Sequence, residues 1–331
     1  LNFINNSFIF FKKRIRSLYL NSNIYNKKIT PSIIGSLEYR PSPSLLDSLI
    51  KYDKIKINIE KYSLNNIWDN KRLISKDFKN LNSFFWLFSL DLKSSKKDIQ
   101  KVIQQWIDKN HRYSSKSWEV DIVAKRIIAW TSNSRLTYED GSPNYKDNFN
   151  SIIKKQINYL IDEIERSDWV NDKMIGCAAV ILTGLSYQDK NSYLDKGLNL
   201  LKKFVKYSLD NDGFPKSRNI RQLNFYLKYF ILIREWLRES QSEIPDHINE
   251  NIYYLGQAYA FTWKNNKVDL LFNGNHETNN NDFDRYLKKL GYNFKCQSNE
   301  LGGYAILNNK KNSLIMDIGA SPDKKFSSNY Q

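Results

Sequence analysis

The sequence predicts a mainly helical protein with a β-rich C-terminal part, and three observations carry this prediction. Apolar residues recur with a helical period from about residue 78 to residue 262. The breaks between periodic segments are short and rich in turn-forming residues, as in Gly141-Ser142-Pro143. After Trp263 the pattern changes, and the segments 302–307 and 313–318 read as a β-hairpin. We therefore divide the chain into an irregular lead-in (1–75), a helical domain (76–262) and the start of a truncated β domain (263–331).

The composition bounds the class of protein before any motif is considered. The 331 residues suffice for one large domain or two ordinary ones, and a hydrophobic content of 41% indicates a globular protein. The formal charge of +16 favours an acidic partner such as nucleic acid, anionic lipid or a polyanionic glycan. Lysine, asparagine, isoleucine and tyrosine are all abundant, however, which is the pattern of an AT-rich genome. The charge alone therefore does not choose a partner.

Cysteine, histidine and hydropathy exclude several classes of site. Cys177 and Cys296 lie far apart and are interpreted as ordinary buried thiols. Three histidines without metal-ligand spacing argue against a catalytic zinc ion, and we predict no metal and no cofactor. We predict no transmembrane segment, because no apolar run approaches the ~18 residues that a membrane span needs. The apolar patch 8–11 precedes the basic residues 12–16, which is the reverse of the order in a secretory signal.

The helical domain is predicted as a succession of helical hairpins. Pro31, Pro41 and Pro43 mark the irregular lead-in before it. Such arrays form bundles, solenoids or α/α toroids, and the absence of a strict repeat argues against the solenoid families. The predicted helices cover residues 84–92, 99–107, 120–130, 149–164, 174–185, 193–209, 220–237 and 248–261, and a strand is expected at 268–272.

One loop and the helix that follows it form the first candidate site. Asp212-Gly213 suits a turn with a positive φ, Pro215 prevents an earlier helix from continuing, and Ser217 or Asn219 can cap the next helix. The segment 220–238 is apolar nearly all round, which is typical of a buried helix. The polar residues Lys216, Arg218 and Arg221 therefore lie at the mouth of a buried helix, where the helix N-terminus adds positive charge.

Several short motifs, in this order along the chain, resemble the heparinase II/III-like family of polysaccharide lyases. The resemblance covers residues 65 to 325 and is closest to a bacterial branch of largely uncharacterised members. The motifs that carry it are Ile67-Trp68-Asp69, Phe84-Phe85-Trp86-Leu87, Asp91-Leu92, Trp106-Ile107, Trp118-Glu119-Val120-Asp121, Arg126-Ile127-Ile128-Ala129-Trp130, Asp212-Gly213, Ser217-Arg218-Asn219, Leu271-Phe272-Asn273-Gly274, Gly303-Tyr304 and Asp317-Ile318-Gly319.

The resemblance implies a fold, a reaction and a compartment. The fold would be an incomplete α/α toroid followed by the beginning of an antiparallel β-sandwich, with an acidic polysaccharide bound between them. The reaction would be β-elimination on a uronic-acid unit, as in glycosaminoglycan lyases, in which a base removes the C5 proton and donors neutralise the neighbouring carboxylate. The family's characterised enzymes imply a periplasmic or cell-envelope location.

The resemblance also transfers site residues, with departures. Asn171-Asp172 stands where characterised lyases carry Asn-His, so Asn171 is the predicted neutraliser, whereas Asp172 is expected to repel a carboxylate. By ungapped alignment, Ser217 stands at the family's Glu position, and Gln222-Leu223 replaces its Tyr-His pair. Tyr226 is one helical turn beyond Gln222 and is the predicted proton-transfer residue.

Substrate contacts are predicted at six residues, namely Arg218, Asn219, Arg221, Arg126, Trp86 and Trp130. The arginines would bind carboxylates or sulfates, and the tryptophans would stack on sugar rings. Other interpretations stay open at this stage. Tyr226, Trp86 and Trp130 suit core packing, Arg126 suits an internal ion pair, and Asn171 can serve as a helix cap.

Two further functional hypotheses compete with the lyase. The first is a non-catalytic acidic-glycan-binding or envelope-associated protein that kept the cleft and lost the acid/base residues. The second is nucleic-acid binding through the basic surface. It is disfavoured because the basic residues are scattered along the whole chain without a binding motif, so we predict no nucleic-acid partner.

Overall fold

The protein was analysed as a computed structural model that describes residues 2–33, 35–50, 67–69, 75–90, 95–187, 193–264, 272–273, 280–308 and 312–327. Its helices are α1 (Asn2–Leu20), α2 (Asn23–Ile29), α3 (Pro43–Ile50), α4 (Ser75–Ser83), α5 (Lys96–Asn110), α6 (Val120–Ser132), α7 (Ser134–Thr137), α8 (Pro143–Glu163), α9 (Val170–Tyr187), α10 (Tyr193–Ser208), α11 (Ile220–Glu239), α12 (Asp246–Tyr259), α13 (Asn281–Lys289) and α14 (Lys324–Ser327). The strands are β1 (Glu300–Leu301), β2 (Tyr304–Asn308) and β3 (Ser313–Asp317).

The helices pack in two layers, which together form an incomplete α/α toroid. The inner layer is the row α4, α6, α9, α11 and α3, in which each helix contacts the next. Helices α5, α8, α10 and α12 pack outside this row. The backbones of α9 and α10 approach closely at two glycines: a Cβ on Gly184 would lie 2.3 Å from the Leu194 backbone nitrogen, and one on Gly197 would lie 2.7 Å from Ile181. The mainly helical fold class predicted from the sequence is confirmed.

The first part of the chain differs from the prediction. Residues 1–75 were expected to be irregular, but the described part of this segment contains α1, α2 and α3. Ser22 caps α2 by accepting a hydrogen bond from the Tyr25 backbone N–H. Tyr25 and Ile29 are then buried, so part of the lead-in belongs to the hydrophobic core. Helices α2 and α3 have only seven and eight residues, which is too short for a helical period to be recognised in the sequence.

The predicted helix at 84–92 is also wrong in its described part. Helix α4 ends at Ser83, and Phe84 adopts a left-handed conformation with φ of 57°, which no helix interior tolerates. A short 3-10 turn follows at Phe85–Ser89. The aromatic side chains had suggested a helical period, but they pack inward from a tight turn. Asp91 and Leu92 lie outside the described residues.

The core is built on aromatic residues and on α11. Phe84, Trp106 and Trp130 are fully buried and meet at ring-centroid distances of 5.0–6.2 Å. Helix α11 buries residues on every face because α9, α12 and α3 surround it, as its apolar sequence predicted. Burying each large apolar side chain contributes about 1.5–3 kcal/mol relative to exposure, so these clusters dominate the stability of the toroid.

The C-terminal part contains an antiparallel sheet with the order β1-β2-β3. Strands β2 and β3 form the predicted hairpin, in which Tyr304 pairs with Asp317 and Ile306 with Ile315. The expected strand at 268–272 lies almost wholly outside the described residues, and the domain boundary near residue 263 stays a prediction. Neither cysteine forms a disulfide, and Cys177 is buried while Cys296 is half-buried. None of the helices in the described ranges combines the length and apolar character that crossing a membrane requires.

Candidate functional site at the rim of the helical toroid

Helices α6, α9 and α11 begin at the same end of the toroid. Asp121 in the first turn of α6 raises the pKa of Asp172 in the first turn of α9, so the two helix starts are close. The ammonium of Lys173 lies 5.1 Å over the ring of Tyr207, in the last turn of α10, from which a short loop leads to α11. The partial positive charges of three helix N-termini therefore add at this end. We call it the rim and define it by residues 119–123, 167–173 and 219–222.

Asp172 is the titratable group whose environment most favours chemistry at the rim. Burial raises the pKa of its carboxyl group to about 7, and the negative charges of Asp121 and Glu119 act in the same direction. A hydrogen bond donated by the Ser167 hydroxyl at 3.0 Å and the positive charge of Lys125 oppose the shift. The carboxyl group is therefore partly protonated near neutral pH, so it can donate a proton as well as accept one.

Among the exposed side chains of the rim are two near Asp172 in the sequence and one on α11. Trp169 is 52% exposed, which is unusual for the largest apolar side chain in a chain with an ample core. Asn171 is exposed in the first turn of α9, and Arg221 is exposed in the first turn of α11. An aromatic face, an amide and a guanidinium are the groups that bind the ring, the hydroxyls and the acid groups of a charged sugar.

Glu119 and Asp121 of the rim are each paired with a lysine. Lys79 of α4 lies 2.5 Å from Glu119, and Lys125 lies 3.1 Å from Asp121. These pairs are partly exposed, so each contributes little to stability. Their effect is to reduce the net charge around Asp172.

Arg218 does not face a cleft, and its predicted role as an anion contact is corrected. Its guanidinium is buried against the sheet, where it donates to the carbonyl oxygens of Gly302, Gly303, Gly319 and Ala320 and forms an ion pair with the Asp317 carboxylate. These contacts use all five N–H donors of the side chain. Arg218 therefore fastens the sheet to the loop before α11.

The side chain of Asn219 is also used internally. Its Oδ1 accepts from the Gln222 backbone N–H at 3.1 Å, which makes Asn219 the N-cap of α11. Its Nδ2 donates to the Asn273 carbonyl at 3.0 Å. Ser217, the alternative cap, donates instead to the Gln222 side chain. All three residues of the Ser217-Arg218-Asn219 motif hold the loop in place, and all three are buried.

Tyr226 is fully buried, so the structure does not place it where a polymer can reach it. Its ring packs edge-on against Phe204 with centroids 5.0 Å apart. Burial raises the pKa of its hydroxyl above the ordinary value of tyrosine, and the hydroxyl has no hydrogen-bond partner among the described residues. A proton-transfer group needs contact with the substrate, which the packing of Tyr226 prevents.

Arg126 is wholly buried inside the toroid, away from solvent. Its guanidinium donates to the carbonyl oxygens of Asn82 and Ser117 and to the side chain of Gln156, and it stacks 4.0 Å from the Trp106 ring. Burial lowers the pKa of the guanidinium from its usual value. Arg126 therefore connects α6 to α4, α5 and α8 and does not bind an external anion.

Trp86 and Trp130, the predicted sugar platforms, are also core residues. Trp86 is 1% exposed and donates its indole N–H to the Leu81 carbonyl, while Trp130 is fully buried beside Phe149. Among the eight predicted site residues, Asn171 and Arg221 are exposed. The residues that the sequence interpretation missed are Trp169 and, as an acid/base group, Asp172. Its position was recognised, but its pKa depends on a neighbouring helix.

The arrangement of two helical layers with a sheet fastened at one end defines the class of the protein, an α/α toroid with a C-terminal antiparallel sheet. No family model and no curated protein matches the sequence. Among solved structures, a crystal structure of heparinase III is similar, with a TM-score of 0.57 and 16% sequence identity over 78% of this chain. The match covers 47% of the heparinase III chain, so this chain spans about half of that length. The protein therefore has a heparinase III-like fold.

Proposed function

We propose that the protein is lyase-like and cleaves an acidic, uronic-acid-containing polysaccharide by β-elimination at the rim. The observation that carries the proposal is the carboxyl group of Asp172, whose pKa is raised to about 7 beside the exposed Asn171 and Trp169. The heparinase III-like fold and the helix N-termini that converge on the rim support it. We assign the protein to the periplasm or cell envelope as part of the same proposal.

The roles follow from the chemistry of the reaction. The Trp169 face would stack on a sugar ring, and Asn171 and Arg221 would neutralise the uronate carboxylate so that the C5 proton becomes acidic. The ionised Asp172 would take this proton while the C4–O4 bond breaks and the electron pair forms the C4–C5 double bond. The protonated Asp172 would then return the proton to O4, for which a pKa near the working pH is favourable.

A second candidate is binding without cleavage, and two observations favour it. The donors of Arg218 are all bonded to the sheet and Tyr226 is buried, so a predicted substrate contact and the predicted proton-transfer residue are both internal. In this candidate the rim keeps Trp169 and Arg221 as a binding surface for the acidic glycan. The partly protonated Asp172 would then donate a hydrogen bond to a uronate carboxylate instead of repelling it.

The test is ultraviolet absorbance of the unsaturated uronide, measured with a panel of acidic polysaccharides across the pH range. We expect absorbance to grow, to rise with pH through about 7 because the ionised Asp172 is the base, and to fall by at least about 100-fold in Asp172→Asn. Asp195→Asn is the matched control, since it removes an exposed carboxylate in the first turn of α10. Trp169→Ala is expected to weaken binding in either candidate.

Each outcome decides one part of the proposal. Absorbance that survives Asp172→Asn would show that another group is the base. Binding that depends on Trp169, without any absorbance change, would establish the second candidate. Strongly salt-dependent binding of DNA, with no affinity for any acidic glycan, would contradict both candidates and favour the nucleic-acid hypothesis.

A further inference from the structure

The first helix of the chain, α1, packs against the toroid with one side. Lys13, Arg16 and Leu20 are spaced three and four residues apart, so they share a face of the helix. The Lys13 Nζ lies 2.5 Å from the Asp168 Oδ2, Arg16 forms an ion pair with the Glu163 carboxylate, and Leu20 is buried. These contacts extend over two turns, so α1 is held along its side and not by one end.

The opposite side of α1 is apolar and exposed. Phe11, Ile15 and Leu18 follow each other at intervals of four and three residues, and they are 61%, 51% and 67% exposed. Because a helix turns by about 100° per residue, these three side chains lie opposite the face that packs against the toroid. We call them the apolar stripe. Single exposed apolar residues are ordinary, but several on one side of a helix mark an interaction surface.

Basic residues border the apolar stripe. Lys12 and Arg14 are exposed and alternate with the residues of the stripe along the helix. The first acidic residue of the chain is Glu38, so residues 1–37 contain six basic residues and no acidic one. The border of the stripe is therefore positively charged, and it favours an anionic partner.

The combination of apolar stripe and basic border selects the class of partner. A nucleic acid or an acidic glycan would pair with Lys12 and Arg14 but would leave the apolar stripe in water. A second copy of the chain, bound symmetrically, would cover the stripe but would bring like charges together. The surface of an anionic lipid bilayer satisfies both parts, because its acyl chains take up apolar side chains and its headgroups attract lysine and arginine.

We propose that α1 docks the protein on the surface of an anionic lipid bilayer. The helix would lie in the plane of the interface, with Phe11, Ile15 and Leu18 among the acyl chains and the basic border at the headgroups. Asp168, the partner of Lys13, belongs to the rim, so the rim would stay outside the lipid and close to its surface. This inference does not rest on the reaction proposed for the rim.

The experiment is co-sedimentation of the full chain with two kinds of vesicle, one of phosphatidylcholine alone and one with about a third of phosphatidylglycerol. We expect binding to the anionic vesicles, at least about tenfold weaker binding to the neutral ones, and loss of affinity as salt is added. Phe11→Ala combined with Leu18→Ala should weaken binding by about a hundredfold, since each removes most of a large apolar side chain from the lipid.

A second pair of substitutions tests the basic border. Lys12→Gln combined with Arg14→Gln should weaken binding to the anionic vesicles by about twentyfold, at roughly fivefold for each charge. Lys288→Gln combined with Lys289→Gln is the matched control, because it removes two exposed lysines from α13. It should leave the vesicle affinity unchanged.

The remaining outcomes separate lipid from the other partners. Leu314→Ala removes a leucine of similar exposure from β3, at 54%, and should not change binding. Absence of binding to the anionic vesicles would overturn the proposal. So would binding that survives loss of Phe11 and Leu18, since the basic residues would then act alone on a polyanion. A dimer that forms without lipid and is lost in the same variant would assign the apolar stripe to a second copy and would equally overturn the proposal.

Discussion

The interior of the helical toroid and its junction with the sheet each contain one buried arginine, and the two side chains are satisfied in different ways. In the described part of the chain, Arg126 in the interior donates only to neutral oxygens and stacks on Trp106. Arg218 at the junction donates to four carbonyl oxygens, stacks 4.6 Å from the Tyr304 ring and also has the carboxylate of Asp317. Burial of a charge is costly, so each site must supply a complete set of acceptors.

The two arginines stabilise different parts of the molecule. Arg126 is enclosed by helices that already pack together through apolar residues. Its guanidinium therefore joins helices within the toroid. Arg218 is the main polar link that we observe between the loop before α11 and the sheet, and Asp317 remains partly exposed. Loss of Arg126 should therefore lower the stability of the whole toroid, whereas loss of Arg218 should destabilise mainly the sheet.

The largest effect is expected for Arg126→Ala. The change leaves the carbonyls of Asn82 and Ser117 and the oxygen of Gln156 without a donor, and it opens a cavity beside Trp106. We expect the free energy of unfolding to fall by about 3–5 kcal/mol, from orphaned acceptors and lost packing together. Urea denaturation followed by tryptophan fluorescence measures it, since Trp106 and Trp130 lie in the affected cluster.

Arg126→Met is the matched variant for this prediction. It fills most of the volume without donating hydrogen bonds, so it should recover the packing part of the loss and leave the polar part. A loss below about 1 kcal/mol in Arg126→Ala would mean that the guanidinium is not the connection between α6 and its neighbours. The comparison between the two arginines would then fail.

The second-largest loss of stability is expected for Arg218→Ala, and it should be confined to the sheet. Removal of the guanidinium leaves four carbonyl oxygens and Asp317 without their donor, at a cost of about 2 kcal/mol after allowance for the solvent that reaches Asp317. Hydrogen exchange of the amides of β2 and β3 should accelerate, while exchange in α6 and α9 stays unchanged. Arg221→Ala, three residues further on and exposed, is the control and should alter neither. Uniform acceleration across the helices would contradict a role confined to the junction.

The helices and turns around the two arginines could be predicted from the sequence, but the partners of the arginines could not. The helical period predicted α5, α6 and α8 to α12, and the turn chemistry predicted Gly213 with its positive φ, observed at 74°. Arg218 was predicted to contact an anion because a loop at a helix start is a common anion site, and Arg126 because it lies in a motif of the family resemblance. Their real partners, the sheet carbonyls and the neutral oxygens inside the toroid, lie 84 to 102 residues away for Arg218 and up to 44 for Arg126.

The third prediction concerns the close approach of Gly303 to the Arg218 guanidinium at the junction. Gly303 has φ of 78°, and a Cβ there would lie 2.8 Å from the Arg218 guanidinium. We expect Gly303→Ala to cost about 1–2 kcal/mol for the backbone conformation, and more for the displaced side chain. Gly291→Ala is the matched control, because Gly291 has a similar φ of 84° and no atom within 4 Å of its Cβ position. Equal losses in thermal stability would show that Arg218 adapts without cost and that the packing at the junction is loose.

The smallest effect is expected in the interior, for Tyr226→Phe. The hydroxyl is buried without a partner among the described residues, so its removal should leave stability unchanged or raise it by up to about 1 kcal/mol. Tyr187→Phe is the matched control, since the Tyr187 hydroxyl is equally enclosed but donates to the Asn150 side chain at 2.9 Å, and its loss should cost about 1 kcal/mol. Thermal unfolding of both variants measures the difference. Cleavage that persists in Tyr226→Phe would assign Tyr226 to packing, as its burial indicates. Abolished cleavage in a variant of unchanged stability would instead mean that the toroid opens to expose the hydroxyl to the substrate.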